Sequence, residues 1–97
     1  MAKKWEAIVI NSKDNVATTL KALRAGATIP VEVRGTVEEI RILSDIPMGH
    51  KFALKVIGEG EPVIKYGEPI GRSTTRIAAG EHVHVQNVVS QPRGGLS

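Results

Sequence analysis

The sequence contains no cysteine and only three aromatic residues, Trp5, Phe52 and Tyr66. Without cysteine, the chain cannot itself supply a disulfide, a thiolate nucleophile, an iron–sulfur cluster or a zinc–thiolate site, and this composition is typical of a reducing compartment. A metal ion bound by this chain would need histidine and carboxylate ligands instead. The shortage of aromatic rings also argues against binding of single-stranded nucleic acid, which relies on stacking against such rings.

Long apolar runs are missing as well. The run at residues 7–10 is far shorter than the core of a signal peptide or a membrane span, so we expect a cytoplasmic protein with no membrane partner. The 13 Lys and Arg residues are scattered among 10 Asp and Glu residues, and no more than two like charges occur in succession. Nucleic-acid-binding proteins usually gather their basic residues on one face, so we expect no nucleic-acid partner.

The length of 97 residues predicts one domain with a thin core, because chains of this size bury only about two thirds of their unfolded surface. We place this domain at residues 1–89. A deep catalytic pocket made by such a chain alone would be unusual. Residues 90–97 lack an apolar period and are rich in Gly and Pro, which predicts a disordered tail, or a tail that is ordered only against a partner.

Runs rich in Val, Ile and Thr, broken by Gly and Pro, predict a mainly β fold. Strands are expected near residues 7–11, 28–33, 36–43, 51–57, 62–65, 72–77 and 82–88, with a turn at 68–71. One short α-helix is expected after the first strand, because Val16, Leu20 and Leu23 recur at helical spacing. Asp14 is suited to cap the start of this helix and Gly26 to end it.

A weak internal repeat punctuates the sequence. Residues 23–29, 46–52 and 77–83 share the form aliphatic-x-x-Gly-x-x-apolar. The aliphatic residue is expected to anchor a turn in the core, and the glycine to adopt a positive φ that a Cβ would penalise, before the chain enters a strand. The copies are unequally spaced, which argues against a solenoid of fixed period and predicts three similar corners in one β fold.

The second corner lies in residues 45–54, which resemble the D-I-P-x-G loop of SAF domains, small modules with a β-clip fold. Residues 63–71 and 77–87, together with 14–17, resemble more specifically the N-terminal SAF domain of altronate and galactarate dehydratases. This resemblance implies a β-clip-like SAF domain. In that family the module is either fused to a larger catalytic domain or made as a separate small subunit, and the chain resembles the separate form because it ends where the large domain would begin.

The reaction implied by the resemblance is β-elimination of water from a hexonate or hexarate, with iron in the large part. Such chemistry needs a base, a Lewis acid and a proton donor, and this chain does not supply that set alone. We therefore expect a lyase subunit that is inactive by itself and helps to bind an anionic sugar acid beside a larger catalytic subunit. No cofactor is assigned to this chain, and iron is expected in the larger subunit. A homo-oligomer is also compatible with the sequence.

Two other functions stay open. The small subunit of (2R)-sulfolactate sulfo-lyase is of the same type, and that enzyme eliminates sulfite instead of water. A non-catalytic SAF module that binds carbohydrate or acts as an adaptor is the alternative from a different class.

His82 and His84 are two positions apart, so in a strand their side chains share one face and can converge on one ligand. The pair suits metal ligation or the binding of substrate oxygens. The alternative is two solvent-facing histidines, with Val83 and Val85 turned to the core. Spacing alone favours that alternative, whereas the resemblance favours a functional role. Two histidines are fewer than the three protein ligands usual in a catalytic zinc-type site, so no metal is assigned, and a site completed by a partner stays open.

Four further residues are candidates for contact with the substrate. His50 follows a corner glycine, where a loop residue can reach a neighbouring active site, and Lys51 adds positive charge beside it; hydrogen bonding within its own turn is the alternative for His50. Lys65 and Arg72 could pair with a substrate carboxylate, although solvated lysines are the commoner case. Asn15 lies in a matched string and could contact substrate, with local backbone capping as the alternative.

Overall fold

The computed structural model describes residues 5–90, which form nine strands and contain no helix. The strands are β1 (Ala7–Ile8), β2 (Val16–Thr19), β3 (Thr28–Val33), β4 (Thr36–Arg41), β5 (Lys51–Ala53), β6 (Pro62–Lys65), β7 (Glu68–Ser73), β8 (His82–Val83) and β9 (Val88–Ser90). They pair antiparallel in three sheets, with the orders β1-β2-β5-β8, β3-β4 and β6-β7-β9. The mainly β fold expected from the sequence is confirmed. Within these residues, no helix is available that could cross a membrane.

The four-stranded sheet separates two apolar cores. Successive side chains of a strand point to opposite faces, so Ala17 and Phe52 join the core that is closed by the β3–β4 hairpin. Val16 and Ala53 join the core that is closed by the β6–β7 hairpin. Burying one large aliphatic or aromatic side chain such as Phe52, which is 0% exposed, stabilises the fold by about 1.5–3 kcal/mol.

Both hairpins turn through two residues with positive φ. The φ angles are 49° and 80° at Arg34 and Gly35, and 58° and 76° at Tyr66 and Gly67. Turns with two such residues match the right-handed twist of the flanking strands. The turn expected at residues 68–71 is therefore wrong, because the chain already reverses at Tyr66 and Gly67 and residues 68–73 form β7. The strand expected at residues 72–77 accordingly begins and ends earlier in the chain.

The described part of the chain has four glycine corners, one more than the three predicted from the sequence. Their glycines all have φ between 83° and 96°: Gly26, Gly49, Gly60 and Gly80. The additional corner, residues 57–63, also fits the form aliphatic-x-x-Gly-x-x-apolar. At Gly80 the backbone approach is closest, since a Cβ would lie 1.8 Å from the carbonyl oxygen of Arg41.

The corners pair, and each pair closes the base of one hairpin. Leu23 and Ile46 exchange two backbone hydrogen bonds of 2.9 Å, and Ile57 and Ile77 exchange two of 2.8 Å. The chain therefore contains two similar units, each a corner, a hairpin and a second corner. We call residues 23–49 the first unit and residues 57–80 the second unit. This pairing explains why the spacing between successive corners is unequal.

The helix expected at residues 14–26 is wrong, because residues 16–19 form β2 and Leu23 begins a corner. Leu20, which completed the helical spacing, is 50% exposed, whereas Thr19 is buried. The β-branched residues of this segment favour a strand. Asp14 does not cap a helix: its carboxylate accepts hydrogen bonds from the backbone N–H groups of Asn11 and Gly67, at 3.0 and 2.8 Å.

The last predicted strand is also shorter than expected. Residues 82–88 divide into β8 and β9, joined by a turn at residues 84–87. Ser90, placed in the predicted tail, belongs to β9. Residues 91–97, the rest of that tail, lie outside the described residues.

Candidate functional site

Three histidine side chains meet beside the β5–β8 pair. His50 immediately precedes β5, His82 begins β8, and His84 follows β8. In the register of these strands Phe52 lies opposite His82, so His50 and His84 face one another two residues further along. The sequence predicted that His82 and His84 could converge; the fold adds His50, which directly follows the first unit.

The three imidazole rings stack. Ring centroids lie 4.3 Å apart for His50 and His84, 5.2 Å for His50 and His82, and 5.5 Å for His82 and His84, with interplanar angles of 13–25°. His50 Nδ1 and His82 Nε2 are 3.0 Å apart, a hydrogen bond in which one nitrogen donates and the other accepts. One ring nitrogen from each residue lies within 4.8 Å of the other two. We call these three residues the histidine cluster.

A buried asparagine fixes the turn that carries the cluster. Asn87 is 4% exposed, and its Oδ1 accepts from the backbone N–H of His84 at 3.0 Å while its Nδ2 donates to the carbonyl of His82 at 2.8 Å. The hydroxyl of Ser44 accepts from the backbone N–H of His82 at 3.0 Å. These bonds hold the backbone on both sides of Val83 and thereby restrict where the two imidazoles can lie.

The turn also explains the exposure of the two flanking valines. Val83 is 0% exposed, whereas Val85 is 80% exposed because the chain has left the strand at His84. The alternative in which both valines face the core is therefore wrong for Val85. Met48, two residues before His50, is likewise 69% exposed. An exposed apolar side chain therefore lies close in sequence to His50, and another, Val85, directly follows His84.

The electrostatic environment favours the neutral form of His82 and His84. Burial lowers the pKa of His82, and the neighbouring His50, His84 and Lys51 lower it further. The pKa of His84 is lowered by burial and then by His50 and Lys51. Burial followed by the charge of Lys65 lowers the pKa of Lys51. Each shift is thus caused by burial and like charge, and the ammonium group of Lys51 acts on both His82 and His84.

The remaining predicted site residues make other contacts. Lys65 acts electrostatically on Lys51, and its Nζ lies 5.1 Å from the ring centroid of Tyr66. Arg72 donates from Nη1 to the carbonyl of Gly60 at 2.7 Å, within the additional corner. Their contact with a substrate stays a prediction.

Asn15 is buried, with 8% of its surface exposed. Its Oδ1 accepts from the backbone N–H of Ile64 at 2.8 Å, and its Nδ2 donates to the carbonyl of Pro62 at 3.0 Å. Both ends of the amide thus hold β6 against β2. Asn15 thus bonds backbone groups, as in the capping alternative, but on a strand distant in sequence and not in a local turn. Contact of Asn15 with a substrate stays a prediction.

Two residues of the site were not among the sequence-based candidates. Gln86 Nε2 lies 3.3 Å from His82 Nδ1, and Asn87 orders the turn. Both belong to the string at residues 77–87 on which the resemblance was based. The available signal was Asn87, three residues after His84, because an asparagine side chain that bonds nearby backbone is typical of turns.

Known proteins are similar to this chain over nearly all of its described residues. Residues 5–91 match the SAF domain of altronate/galactarate dehydratase. Altronate dehydratase of Escherichia coli is 44% identical over 80 residues, which are 82% of this chain and 15% of that protein. The chain therefore spans a small fraction of the length of that relative.

Two shorter relatives are also similar. The (2R)-sulfolactate sulfo-lyase subunit alpha of Chromohalobacter salexigens is 48% identical over 50 residues, covering 52% of this chain and 53% of that subunit. The corresponding subunit of Paracoccus pantotrophus is 50% identical over 44 residues, covering 45% of this chain and 66% of that subunit. These relatives are named as lyases or lyase subunits. The match to the family, at residues 5–91, includes all nine described strands. The chain therefore belongs to the altronate/galactarate dehydratase SAF domain family.

Proposed function

We propose that this chain is the small SAF component of a lyase that eliminates water from an anionic sugar acid, and that it helps to bind the substrate at a site shared with a larger catalytic subunit. The observation that carries the proposal is the histidine cluster, which lies beside Lys51 and is formed by residues of the two strings that resemble the family. The family relationship supports the reaction class, and the cluster supports the role of this chain within it.

In the proposed reaction, a base removes the proton α to the substrate carboxylate, and the electrons of that C–H bond form a C=C bond while the β C–O bond breaks. The departing hydroxyl takes up a proton and leaves as water. This step needs a base, stabilisation of the negative charge that develops on the carboxylate, and a proton donor. Iron, which the family resemblance implies for the larger component, would supply the Lewis acid there.

The contribution of this chain would be to bind and orient the substrate. Lys51 and Lys65 provide positive charge for a carboxylate, and a charged partner strengthens such a hydrogen bond. A neutral His82 can accept a hydrogen bond from a substrate hydroxyl through a ring nitrogen, or exchange a proton with it. Holding the reacting groups in place accelerates a reaction even when another subunit performs the proton abstraction.

A second candidate is the small subunit of a (2R)-sulfolactate sulfo-lyase. The observation that favours it is the 48–50% identity to two chains that are named as subunit alpha of that enzyme. A sulfonate carries a fixed negative charge, so the same two lysines would suit that substrate. A non-catalytic SAF module that binds carbohydrate or acts as an adaptor is the third candidate.

The test is to produce the chain together with a candidate large subunit and to measure turnover of altronate, galactarate and sulfolactate, with and without the chain. We expect turnover of one of the sugar acids to require both components. His82→Gln and His84→Gln should each reduce turnover at least about tenfold, since positioned acid–base groups usually contribute more than that. Glu38→Gln on the exposed strand β4 is the matched control and should leave turnover unchanged.

Three outcomes separate the candidates. Turnover of sulfolactate alone would favour the sulfo-lyase. A large subunit that is fully active without this chain, with histidine variants that change nothing in the complex, would contradict a role at the active site and favour the non-catalytic module. Turnover by this chain alone would contradict the shared site.

A further inference from the structure

The histidine cluster has the dimensions of a metal site. Metal–nitrogen bonds of 2.0–2.1 Å place neighbouring ligand atoms about 3–3.5 Å apart. His50 Nδ1 and His82 Nε2 already lie 3.0 Å apart, and all three candidate ligand atoms lie within 4.8 Å of one another. A shift of about 1–2 Å of the partly exposed His84 ring would bring its nitrogen to the spacing of a metal ligand, and an ordinary side-chain rotation can produce such a shift.

Two of the ring nitrogens are already directed at each other. A hydrogen bond between His50 Nδ1 and His82 Nε2 needs one proton and one lone pair. When the donating imidazole changes tautomer, so that solvent takes this proton and its other ring nitrogen gains one, both rings stay neutral and both facing nitrogens have a free lone pair. A cation could then bind at the point between the two nitrogens, in place of the shared proton. The stacking of His84 against His50, at 4.3 Å between centroids, brings a third imidazole beside that point.

The surroundings of His82 correspond to the support that metal-bound histidines usually have. Such a histidine commonly donates its second N–H to an oxygen acceptor, which fixes the tautomer and the ring orientation. The amide nitrogen of Gln86, Nε2, lies 3.3 Å from His82 Nδ1, the nitrogen that does not face His50. A 180° turn of the amide plane exchanges its nitrogen and oxygen. With the amide oriented so that its oxygen accepts, Nδ1 would hold the proton and Nε2 would be free to bind the metal.

Two features favour an ion that also accepts an oxygen ligand. Imidazole is a suitable ligand for Zn²⁺, Fe²⁺, Ni²⁺ and Cu²⁺. Three protein ligands leave at least one coordination position open, as in catalytic zinc sites. The charge of Lys51 opposes a bare cation but attracts an anion, so a carboxylate or hydroxyl oxygen at the open position would relieve that repulsion.

We propose that this chain itself binds one divalent first-row transition-metal ion through His50 Nδ1, His82 Nε2 and a ring nitrogen of His84, with a position left open for an oxygen ligand. This goes beyond the proposed function, which places the iron on the larger subunit. It does not depend on that function, because the ligands all belong to this chain.

The test uses the full chain, without an affinity tag and freed of metal by a chelator. We titrate it with Zn²⁺ by calorimetry and with Co²⁺ by visible absorption. One ion per chain is expected, and the Co²⁺ complex should show d–d bands typical of nitrogen and oxygen ligands. His50→Ala, His82→Ala and His84→Ala should each weaken binding by more than about 100-fold, because loss of a supporting residue alone typically costs 10- to 100-fold.

Two variants of Gln86 test the proposed geometry. Gln86→Leu should weaken Zn²⁺ binding about tenfold, and Gln86→Glu should strengthen it, because a carboxylate accepts the Nδ1 proton of His82 more strongly. Glu38→Gln, on the exposed strand β4, should bind Zn²⁺ like the unchanged chain. A merely electrostatic effect at Gln86 would strengthen binding in Gln86→Glu without the loss in Gln86→Leu.

The imidazole nitrogens provide a measurement that needs no substitution. In the unchanged chain, Zn²⁺ should shift the ¹⁵N resonances of His50 Nδ1 and His82 Nε2 and leave His82 Nδ1 protonated. The proposal is wrong if Zn²⁺ leaves these resonances in place, or if His84→Ala binds Zn²⁺ as tightly as the unchanged chain. Since no large subunit and no turnover enter these measurements, a negative result here leaves the proposed function standing, and the converse also holds.

Discussion

His50 Nδ1 lies 3.0 Å from His82 Nε2, although the two residues are 32 positions apart in the sequence. His50 directly follows the first unit and His82 follows the second unit after one residue. The hydrogen bond therefore joins the ends of the two units, and the antiparallel pairing of β5 with β8 sets its length. Any change that shifts this pairing should alter the histidine cluster, even if it lies far from the three imidazoles.

The histidines should make stability depend on pH. Because the folded pKa values of His82 and His84 are lowered by burial and by neighbouring positive groups, the unfolded chain binds these protons more readily. Their contribution to the free energy of unfolding is then fully present above the unfolded pKa of about 6.5. It is lost as the pH falls from that value through the lower folded pKa values. We expect the melting temperature of the metal-free chain to fall between pH 7 and pH 5.

The double variant His82→Gln/His84→Gln provides the control for this pH effect. It should lose less stability over the same pH range, because the two groups that take up protons on unfolding are gone. In the unchanged chain, NMR titration of the ring resonances should give both histidines a pKa below the ordinary value for histidine. An equal loss of stability in both proteins would contradict the assignment to these histidines.

Asn87→Ala should destabilise the fold and loosen the histidine cluster. The substitution leaves the N–H of His84 and the carbonyl of His82 without their partner, and losing such bonds at a buried group costs about 1–3 kcal/mol. Chemical denaturation measures the loss. Gln86→Ala, one position earlier on the exposed side of the turn, should change stability by less than about 0.5 kcal/mol. Equal effects of the two substitutions would mean that Asn87 does not anchor the turn.

Two corner glycines allow backbone strain to be separated from steric overlap. Gly49 and Gly80 have nearly the same φ, 83° and 86°, but a Cβ at Gly49 has nothing within 4 Å whereas one at Gly80 would lie 1.8 Å from the Arg41 oxygen. Gly49→Ala should cost about 1–2 kcal/mol, the usual penalty for a left-handed residue with a side chain.

Gly80→Ala must in addition move the backbone of β4 away from the corner, so it should cost several times more or prevent folding. Soluble yield, circular dichroism and denaturation midpoints compare the two variants. If both lowered the denaturation midpoint equally, the close approach of Arg41 would not determine the requirement for glycine at position 80.

Lys51→Met should weaken binding of the anionic substrate and raise the pKa of His82, because it removes a positive charge that acts on that imidazole. In the two-component enzyme we expect KM to rise about tenfold, as for the loss of one charge-assisted hydrogen bond. Lys55→Met, a substitution of the same kind at an exposed lysine four residues later, is the matched control and should leave KM unchanged. A normal KM in Lys51→Met would exclude this lysine from substrate binding.

The sequence predicted three of the four hairpin strands well, because β-branched runs bounded by Gly and Pro leave few alternatives. The fourth, β7, was placed four residues too late, because the reversal at Tyr66 and Gly67 was not recognised. The prediction also failed at residues 14–26, where the spacing of Val16, Leu20 and Leu23 suits a helix as well as a strand followed by a corner. Only the pairing of β2 with β1 and β5, which lie elsewhere in the chain, decides between them. Short segments of this kind are governed by tertiary contacts and not by local preference.

The candidate site was predictable in part. The strings that contain His50, His82 and His84 were identified, but the stacking of all three depends on the β5–β8 register, which no local pattern fixes. The fourth corner, at Gly60, had the full repeat pattern and was available from the sequence. Recognising it would have predicted the two units, since four corners can pair where three cannot.

The two units also determine when the histidine cluster can exist during folding. Each unit is closed by its own pair of corner residues and consists largely of a local hairpin, whereas the pairing of β5 with β8 joins positions about thirty residues apart, and such non-local pairings form slowly. The cluster is consequently assembled only when the units dock. If the two-residue strand β8 separated from β5, the three histidines would move apart while both hairpins remained intact. Hydrogen exchange at the backbone N–H of Val83 would therefore report how often the cluster is lost.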